Sequence, residues 1–426
     1  MLILVTGATG YIASRLIPRL LDRGHHVRAL AREPRRLDGR AWSASTEMFA
    51  GDVMSPSTLR PVLEGVHTAY YLVHNMSSGR GYTERELIGA RNFAEAAAQA
   101  GVKHIIYLGG LADPEQHIAP HMRSRIETGA VLRAGRIPVT EFRAGVIAGS
   151  GSISFEMIRF MTELFPVIPG PLWMKNKSQP IAVQNVVDYL LAALDNWGGH
   201  GQVFEIGGPE IYRYGELMLC YARLRGHKRR LLLLPGIPVG FMAFGIGLMT
   251  PVPRPIAYAL VGGLSSDSVV MHNHAPHVFP EVKLIDFDTA AREALTHLHP
   301  SRIERVWESD QHVRLLKHEG FFILHRADQR DIPIERDRFY KGWQAEINEP
   351  SRVLLHRSRP FGEEWLEWRA GRTLAPHANA GVGNPTHQSR TASPTYITHF
   401  FAPRGLAGFL YWYLTYPWRV LTFRNT

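Results

Sequence analysis

A chain of 426 residues that is 45% hydrophobic holds more apolar material than one ordinary core accommodates, so two domains are expected. Lys and Arg outnumber Asp and Glu by 48 to 38, but no basic block concentrates the excess: no nucleic-acid partner is expected, and the +10 charge suits either a generally basic surface or attraction to nucleotide phosphates or an anionic membrane. One cysteine, Cys220, excludes a disulfide framework and a cysteine-anchored zinc site, so the chain reads as intracellular and cytoplasmic.

The chain opens on "LIL" and runs straight into "VTGATGYIA". Gly7 allows a tight turn out of a strand, Gly10 lets backbone amides approach a pyrophosphate, and Ala13 allows the following helix to pack close to the sheet. Thr9, Tyr11 and Ile12 complete this cradle, where the helix N-terminus offers a partial positive charge. The alternative is a purely structural strand-to-helix turn.

The next strand, "HVRALAR", ends in Arg32 where an NAD site usually ends in an acidic residue, and Arg28, Arg35 and Arg36 lie close by. A guanidinium fork there matches a 2′-phosphate, so NADP(H) is preferred over NAD(H), unless Arg32 is only a solvated loop charge. Asp52 and Val53, after the third strand, are placed at the adenine; Asp52 either accepts from the exocyclic amine or caps a turn.

Up to about residue 150, continuous apolar strands alternate with amphipathic helical patterns such as "SRLIPRLLDRG" and "ARNFAEAAAQAG". That alternation predicts a doubly wound α/β domain with a Rossmann-like parallel sheet. Residues 151 to about 300 are less regular and read as the substrate lobe of the same domain. Within them "LLLLPGIPVGFMAFGIGLMTPVP" is long enough to span a membrane, yet Pro235, Pro238 and four glycines interrupt it, which favours a buried lobe.

Residues 301–320 are polar and charged and form the expected linker. From 321 to 426 strand-like runs follow, "GFFILHRADQRDI", "WQAEINEPSRVLLHRSR", "EEWLEWRAG" and "TYITHFFAP", with a long loop expected over "APHANAGVGNPTHQSRTASP". The last segment, residues 405–423, has helical spacing and many aromatics: it is either a core-capping helix or an interfacial one giving peripheral membrane contact.

On the phrases "YYLVHNM", "FRAGVIAGSGSISFEMIR", "QPIAVQNVV" and "TPVPRPIA", in this order, residues 1–300 resemble the atypical short-chain dehydrogenase/reductases, in particular NmrA-like and epimerase-like bacterial proteins. The resemblance implies NAD(P) lying across the strand edge, with Leu72, Val73, His74, Leu108 and Gly109 near ribose and nicotinamide. It implies an oxidoreductase or epimerase acting on a small organic or lipidic substrate. On "FFAPRGLAGFLYWYLTYPWRVLTFR", residues 321–426 resemble, more faintly, the START-like helix-grip domain, shortened relative to that pattern.

The superfamily's usual Ser and Tyr-x-x-x-Lys are absent. The serine position reads Gly109 or Gly110, and the following helix carries His121 and Arg125 at i and i+4, which could share a face at the nicotinamide as proton donor and anchor. Tyr82 is a second candidate phenol, and Ser152, Ser154, Glu156 and Gln179 are candidate substrate-lobe residues; helix capping and loop hydrogen bonding are the alternatives. His272, His274 and His277 offer three imidazoles without a carboxylate in the run, so no metal site is expected. The missing residues also leave open a catalytically silent NADP-binding regulator or assembly factor, and the aromatic C-terminus a membrane-surface accessory protein handling lipid or quinone. Oligomeric state is not legible.

Overall fold

The N-terminal apolar run forms strand β1 (Leu2–Thr6), buried in all but its first residue, as a strand covered on both faces requires. The computed structural model describes residues 1–37, 40–74, 81–249, 254–302, 314–318, 321–328, 342–370 and 395–425. They divide into two units, Met1–Leu298 and His299–Thr426.

In the first unit β1 is followed by α1 (Tyr11–Asp22), β2 (His26–Ala31), β3 (Glu47–Ala50), α2 (Pro56–Leu63), β4 (Thr68–Tyr71), α3 (Tyr82–Ala100), β5 (His104–Gly110), α4 (Pro120–Arg133) and β6 (Val139–Ala144). The lobe then adds β7 (Ile147–Ala148), α5 (Ile153–Leu164), β8 (Val167–Pro171), β9 (Lys177–Ser178), β10 (Ile181–Ala182), α6 (Val183–Asp195), β11 (Val203–Ile206), β12 (Tyr212–Arg213) and α7 (Tyr214–Leu224). It closes with β13 (Arg230–Leu234), α8 (Val239–Met249), α9 (Arg254–Gly263), α10 (Ala275–Val278) and α11 (Phe287–Thr296).

Seven strands form one parallel sheet in the order β11-β6-β5-β4-β1-β2-β3. This is the Rossmann order, and the chain reverses direction across the sheet between β1 and β4, where a ligand crevice opens beyond the strand C-termini. One face packs on α1 and α6 through residues such as Leu16, Ile17, Leu20 and Leu190; the other packs on α2, α3 and α4 through Leu59, Phe93, Ala97 and Leu132. The sheet is therefore covered on both sides, as the apolar strands require.

The apolar stretch after Arg230 is a strand and an 11-residue helix, broken at Pro235 and Gly236. Among the described residues no helix is long and apolar enough to cross a membrane. The lobe is not fully buried there, since Phe241 and Phe244 of α8 are 69% and 52% exposed.

The second unit is a six-stranded antiparallel sheet of β14 (Arg314–His318), β15 (Phe321–Asp328), β16 (Gln344–Glu349), β17 (Arg352–Arg359), β18 (Gly362–Ala370) and β19 (Thr395–Pro403), in the order β14-β15-β19-β18-β17-β16. β14 lies inside the stretch expected as linker. Its polar composition hides an edge strand, whose backbone is satisfied by pairing with β15 on one side only. The loop expected at 375–394 lies outside the described residues. Helix α12 (Gly405–Asn425) packs Trp412 between Phe401 and Phe322, with ring centroids 5.1 and 5.5 Å away, and Arg419 reaches the buried Glu364 at 2.7 Å.

Candidate cofactor and substrate site

A single cavity of about 430 Å³ runs from the turn after β1 into the lobe. Its first wall is that turn. Gly7 has φ +63°, and a Cβ there would sit 2.5 Å from the Leu72 carbonyl oxygen, so only glycine fits. Gly10 N–H donates to the Gly7 carbonyl at 2.8 Å, and Gly10 then stands as N-cap of α1 with no side chain capping the helix. The first amides of α1 thus face the cavity without a side-chain acceptor, as a phosphate-binding helix start does. The loop beside it is fixed by Thr6, whose hydroxyl donates to the Tyr70 carbonyl (3.0 Å) and accepts from Leu72 N–H (3.1 Å).

The structure brings most of the expected cofactor residues to this cavity: Gly7, Thr9, Gly10, Tyr11 and Ile12 at the turn, Arg32, Asp52 and Val53 at the far strands, and Leu72, Val73, His74 and Leu108 at the crevice. Arg32 is exposed and makes no ion pair or hydrogen bond among the described residues. Two of its expected companions are otherwise engaged: Arg28 pairs with Glu47 at 2.7 Å and binds the Val62 and Glu64 carbonyls, and Arg36 pairs with Glu33 at 3.0 Å. Asp52 caps its own turn, Oδ1 accepting from Met54 N–H at 2.9 Å, while still lining the wall. Gly109 is not on the lining; a Cβ there would point at Tyr107 and Glu141.

The expected catalytic helix also reaches the cavity. His121 is 4% exposed, and Arg125 lies beside it on the lining. Burial, then Arg125, push the His121 pKa down to about 3, so the ring is neutral near pH 7 and acts only as a neutral hydrogen-bonding group, not as the imidazolium donor expected from its type. Its Nδ1 is buried and has no hydrogen-bond partner among the described residues. The same two causes hold His74 well below the usual histidine range. Tyr82 opens α3, half-buried, with burial and Glu86 raising its phenol; it is off the lining.

The glycines at the serine position have a packing reason. A Cβ on Gly110 would lie 2.8 Å from Met122 Cε and 3.0 Å from Arg125 Cδ, so α4 occupies the volume that a serine side chain would need.

Of the expected substrate residues, Ser152 and Ser154 line the cavity, with Ser152 Oγ donating to the Ile147 carbonyl at 2.6 Å. Glu156 and Gln179 do not. Glu156 is buried in an ion pair with Arg159 at 2.7 Å and accepts from Gly151 N–H. Gln179 is held by backbone, donating to the Gly208 carbonyl at 2.7 Å and accepting from Val270 N–H at 3.0 Å. A buried carboxylate and amide need such partners, which removes both from substrate reach. The histidine run does have a carboxylate nearby, with His272 Nδ1 3.6 Å from Glu205, but no group able to hold a metal ion occurs among the described residues.

What sequence reasoning missed is the far chamber. Met122, Met157, Met161, Met174, Met218 and Met242, six of the 12 methionines, line this one cavity, together with Trp173, Ile246 and Leu260. Only the i, i+4 spacing of Met157 and Met161 was a local signal.

Residues 1–198 match the NmrA-like family. Sterol demethylase protein B of Methylococcus capsulatus is 33% identical over 258 residues, 54% of this chain and 77% of that protein. Photosystem II assembly factor Ycf39 of Cyanophora paradoxa is 24% identical over 253 residues, 57% of this chain and 73% of that protein. The chain spans 39% of a reductase of Oryza sativa and 85% of one of Streptomyces griseus. Among solved structures, Citrobacter triphenylmethane reductase in complex with NADP(H) superposes with a TM-score of 0.55 at 20% identity, over 68% of this chain and 99% of that one; this is a likeness of fold.

Proposed function

We propose a function from one premise, that the chain belongs to the NmrA-like family and carries its NAD(P)-binding fold: Met1–Leu298 is an NADP(H)-dependent reductase of a small organic or lipidic substrate. The observation carrying the cofactor choice is Arg32, exposed on the cavity rim at the end of β2 with no partner among the described residues. The uncapped start of α1 and the Cβ-free cradle at Gly7 and Gly10 suit the pyrophosphate. When bound, the cofactor supplies a hydride. The chain's part is to hold it along the crevice, to keep water out with apolar walls, and to present neutral His121 and cationic Arg125 to the substrate's polar end.

The test is an equilibrium titration with NADPH, NADP⁺, NADH and NAD⁺ on the protein and on Arg32→Ala. A charge-assisted hydrogen bond contributes about 1.5–3 kcal/mol, less when exposed, so a preference of roughly tenfold for the phosphorylated forms is expected, and its loss in Arg32→Ala. Equal binding of all four overturns NADP specificity. Binding without turnover on a carbonyl and quinone panel favours the silent regulator or assembly factor, which the missing serine also suits.

For His299–Thr426 we propose a START-like helix-grip domain with peripheral membrane contact. Support comes from the antiparallel sheet with its C-terminal helix, and from the outer face of α12, where Leu406, Leu410, Leu414, Trp418 and Leu421 form an exposed stripe at helical spacing. No Asp or Glu occurs from Gly405 onward. Co-flotation with anionic liposomes, lost in Leu414→Glu/Trp418→Glu, is the expected result; flotation of neither protein refutes it.

A further inference from the structure

The cavity is chemically two-ended. Its permanent charges, Arg32, Asp52 and Arg125, all lie on the cofactor side, together with the two histidines. Beyond His121 the walls come from four helices and a short 3-10 turn: Met157 and Met161 on α5, Met218 on α7, Met242 and Ile246 on α8, Leu260 on α9, and Trp173 on the turn. These are the side chains that form the lobe's own apolar core, so the chamber is a place where that core fails to close on itself. Two of its hydroxyls, Ser152 and Ser268, are already committed to the carbonyls of Ile147 (2.6 Å) and Leu111 (2.8 Å). Ser154 and Ser266 add two more hydroxyls to the lining, too few to replace the hydration that a sugar or a phosphate would lose in this chamber. Unbranched thioether side chains instead adapt their shape to apolar ligands.

At the junction of the two ends sits His121, buried, neutral, and with Nδ1 lacking any partner among the described residues. Nδ1 itself is sealed from solvent, so a ligand group completes its hydrogen bonding only after the ring turns toward the cavity that His121 lines. The outer wall fits the same picture, since α8 is apolar on its solvent side as well, at Phe241 and Phe244.

We propose that the substrate is lipid-like, with one polar, carbonyl-bearing end at His121 and Arg125 and an acyl-chain or multi-ring apolar body in the methionine chamber. This rests on the reductase reading only for which end reacts; the binding chemistry of the chamber stands apart from it.

The test uses the full chain and equilibrium dialysis with three probes, 2-undecanone, 2-butanone and UDP-glucose, with NADP⁺ at saturating concentration so that the pyrophosphate of UDP-glucose does not report on the glycine turn. Each methylene buried adds roughly a factor of four at most, so 2-undecanone is expected to bind at least about 100-fold more tightly than 2-butanone, with no saturable binding of UDP-glucose. Met242→Asp places a carboxylate on the chamber wall and is expected to weaken 2-undecanone at least about tenfold, whereas Met242→Leu keeps it. NADPH titration of both variants reports whether the fold and the cofactor end are intact; if Met242→Asp does not fold, the ligand-length comparison on the unaltered chain decides. Ketones of both lengths binding within threefold of each other, or UDP-glucose binding more tightly than 2-undecanone, overturns the proposal. Binding of 2-undecanone without any binding of NADPH keeps the chamber inference and removes the cofactor reading.

Discussion

Two glycines of the same turn should fail in different ways when given a methyl group. Gly7→Ala forces a left-handed residue at φ +63° to carry a Cβ and drives that Cβ to 2.5 Å from the Leu72 carbonyl oxygen. The first effect costs about 1–2 kcal/mol and the second about 1–3 kcal/mol, because backbone cannot step aside as a side chain can. The total is about 2–5 kcal/mol. For a unit of 298 residues the unfolding entropy converts this to a fall in Tm of about 3–8 °C. Gly10 has an ordinary extended φ of −80°, and its added Cβ meets only the Gly7 carbonyl at 3.0 Å. Gly10→Ala should therefore shift Tm by no more than about 2 °C, yet weaken NADPH binding at least about tenfold by standing where the pyrophosphate meets the helix start. Calorimetric unfolding and NADPH titration of the two variants side by side check this. A Gly7→Ala protein melting within 1 °C of the parent, or a Gly10→Ala protein with unaltered NADPH affinity, would refute the assignment of the turn.

Further outcomes are expected elsewhere. His104 and His121 are buried neutral, each with its pKa pushed to about 3 from an ordinary 6.5, so between these values the unfolded chain binds more protons. Stability should accordingly be intact above pH 6.5 and fall as the pH drops toward 3, by up to about 1.4 kcal/mol per pH unit for each histidine; His121→Asn should flatten the slope of Tm against pH, and an unaltered slope would count against its burial. Gly110→Ser should lower Tm and confer no activity, and adding Met122→Ala should restore part of the loss by clearing the contact at 2.8 Å. Glu156→Ala removes the buried carboxylate 2.7 Å from Arg159, for a loss of up to about 3–5 kcal/mol, while substrate affinity of the remaining folded protein stays put; a selective loss of affinity would return Glu156 to the substrate wall.

The strand, glycine turn and helix start of the half proposed for the cofactor were legible because they are local. One strand, one glycine turn and one helix start supply the cradle within a dozen residues, and continuous apolar runs such as "LILV" announce the sheet that aligns the other contributors. The substrate half draws on α5, α7, α8 and α9, so which methionines meet is decided by tertiary packing that no spacing records. The errors have the same origin. Glu156 and Gln179 sit beside the site in sequence, but Gln179 is claimed by backbone at Gly208 and Val270, far along the chain. Glu156 was the more readable of the two, since Arg159 stands at i+3. His121 was read from residue type as a titrating acid; its burial against Gly263, whose Cβ would fall 2.8 Å from the ring, is a property of α9 arriving from 142 residues downstream.

Lining one cavity with half of the protein's methionines carries a chemical liability. Thioethers are oxidised to sulfoxides, which turns a soft apolar wall into a polar and chiral one, and Met242 on the half-buried α8 is the more accessible to oxidant than Met157 or Met161 within α5. Peroxide exposure would degrade the chamber from its outer wall inward while leaving the glycine turn chemically untouched. An aged preparation could then retain its nucleotide and lose its second ligand, and methionine sulfoxide reductases would become the repair chemistry on which this pocket depends.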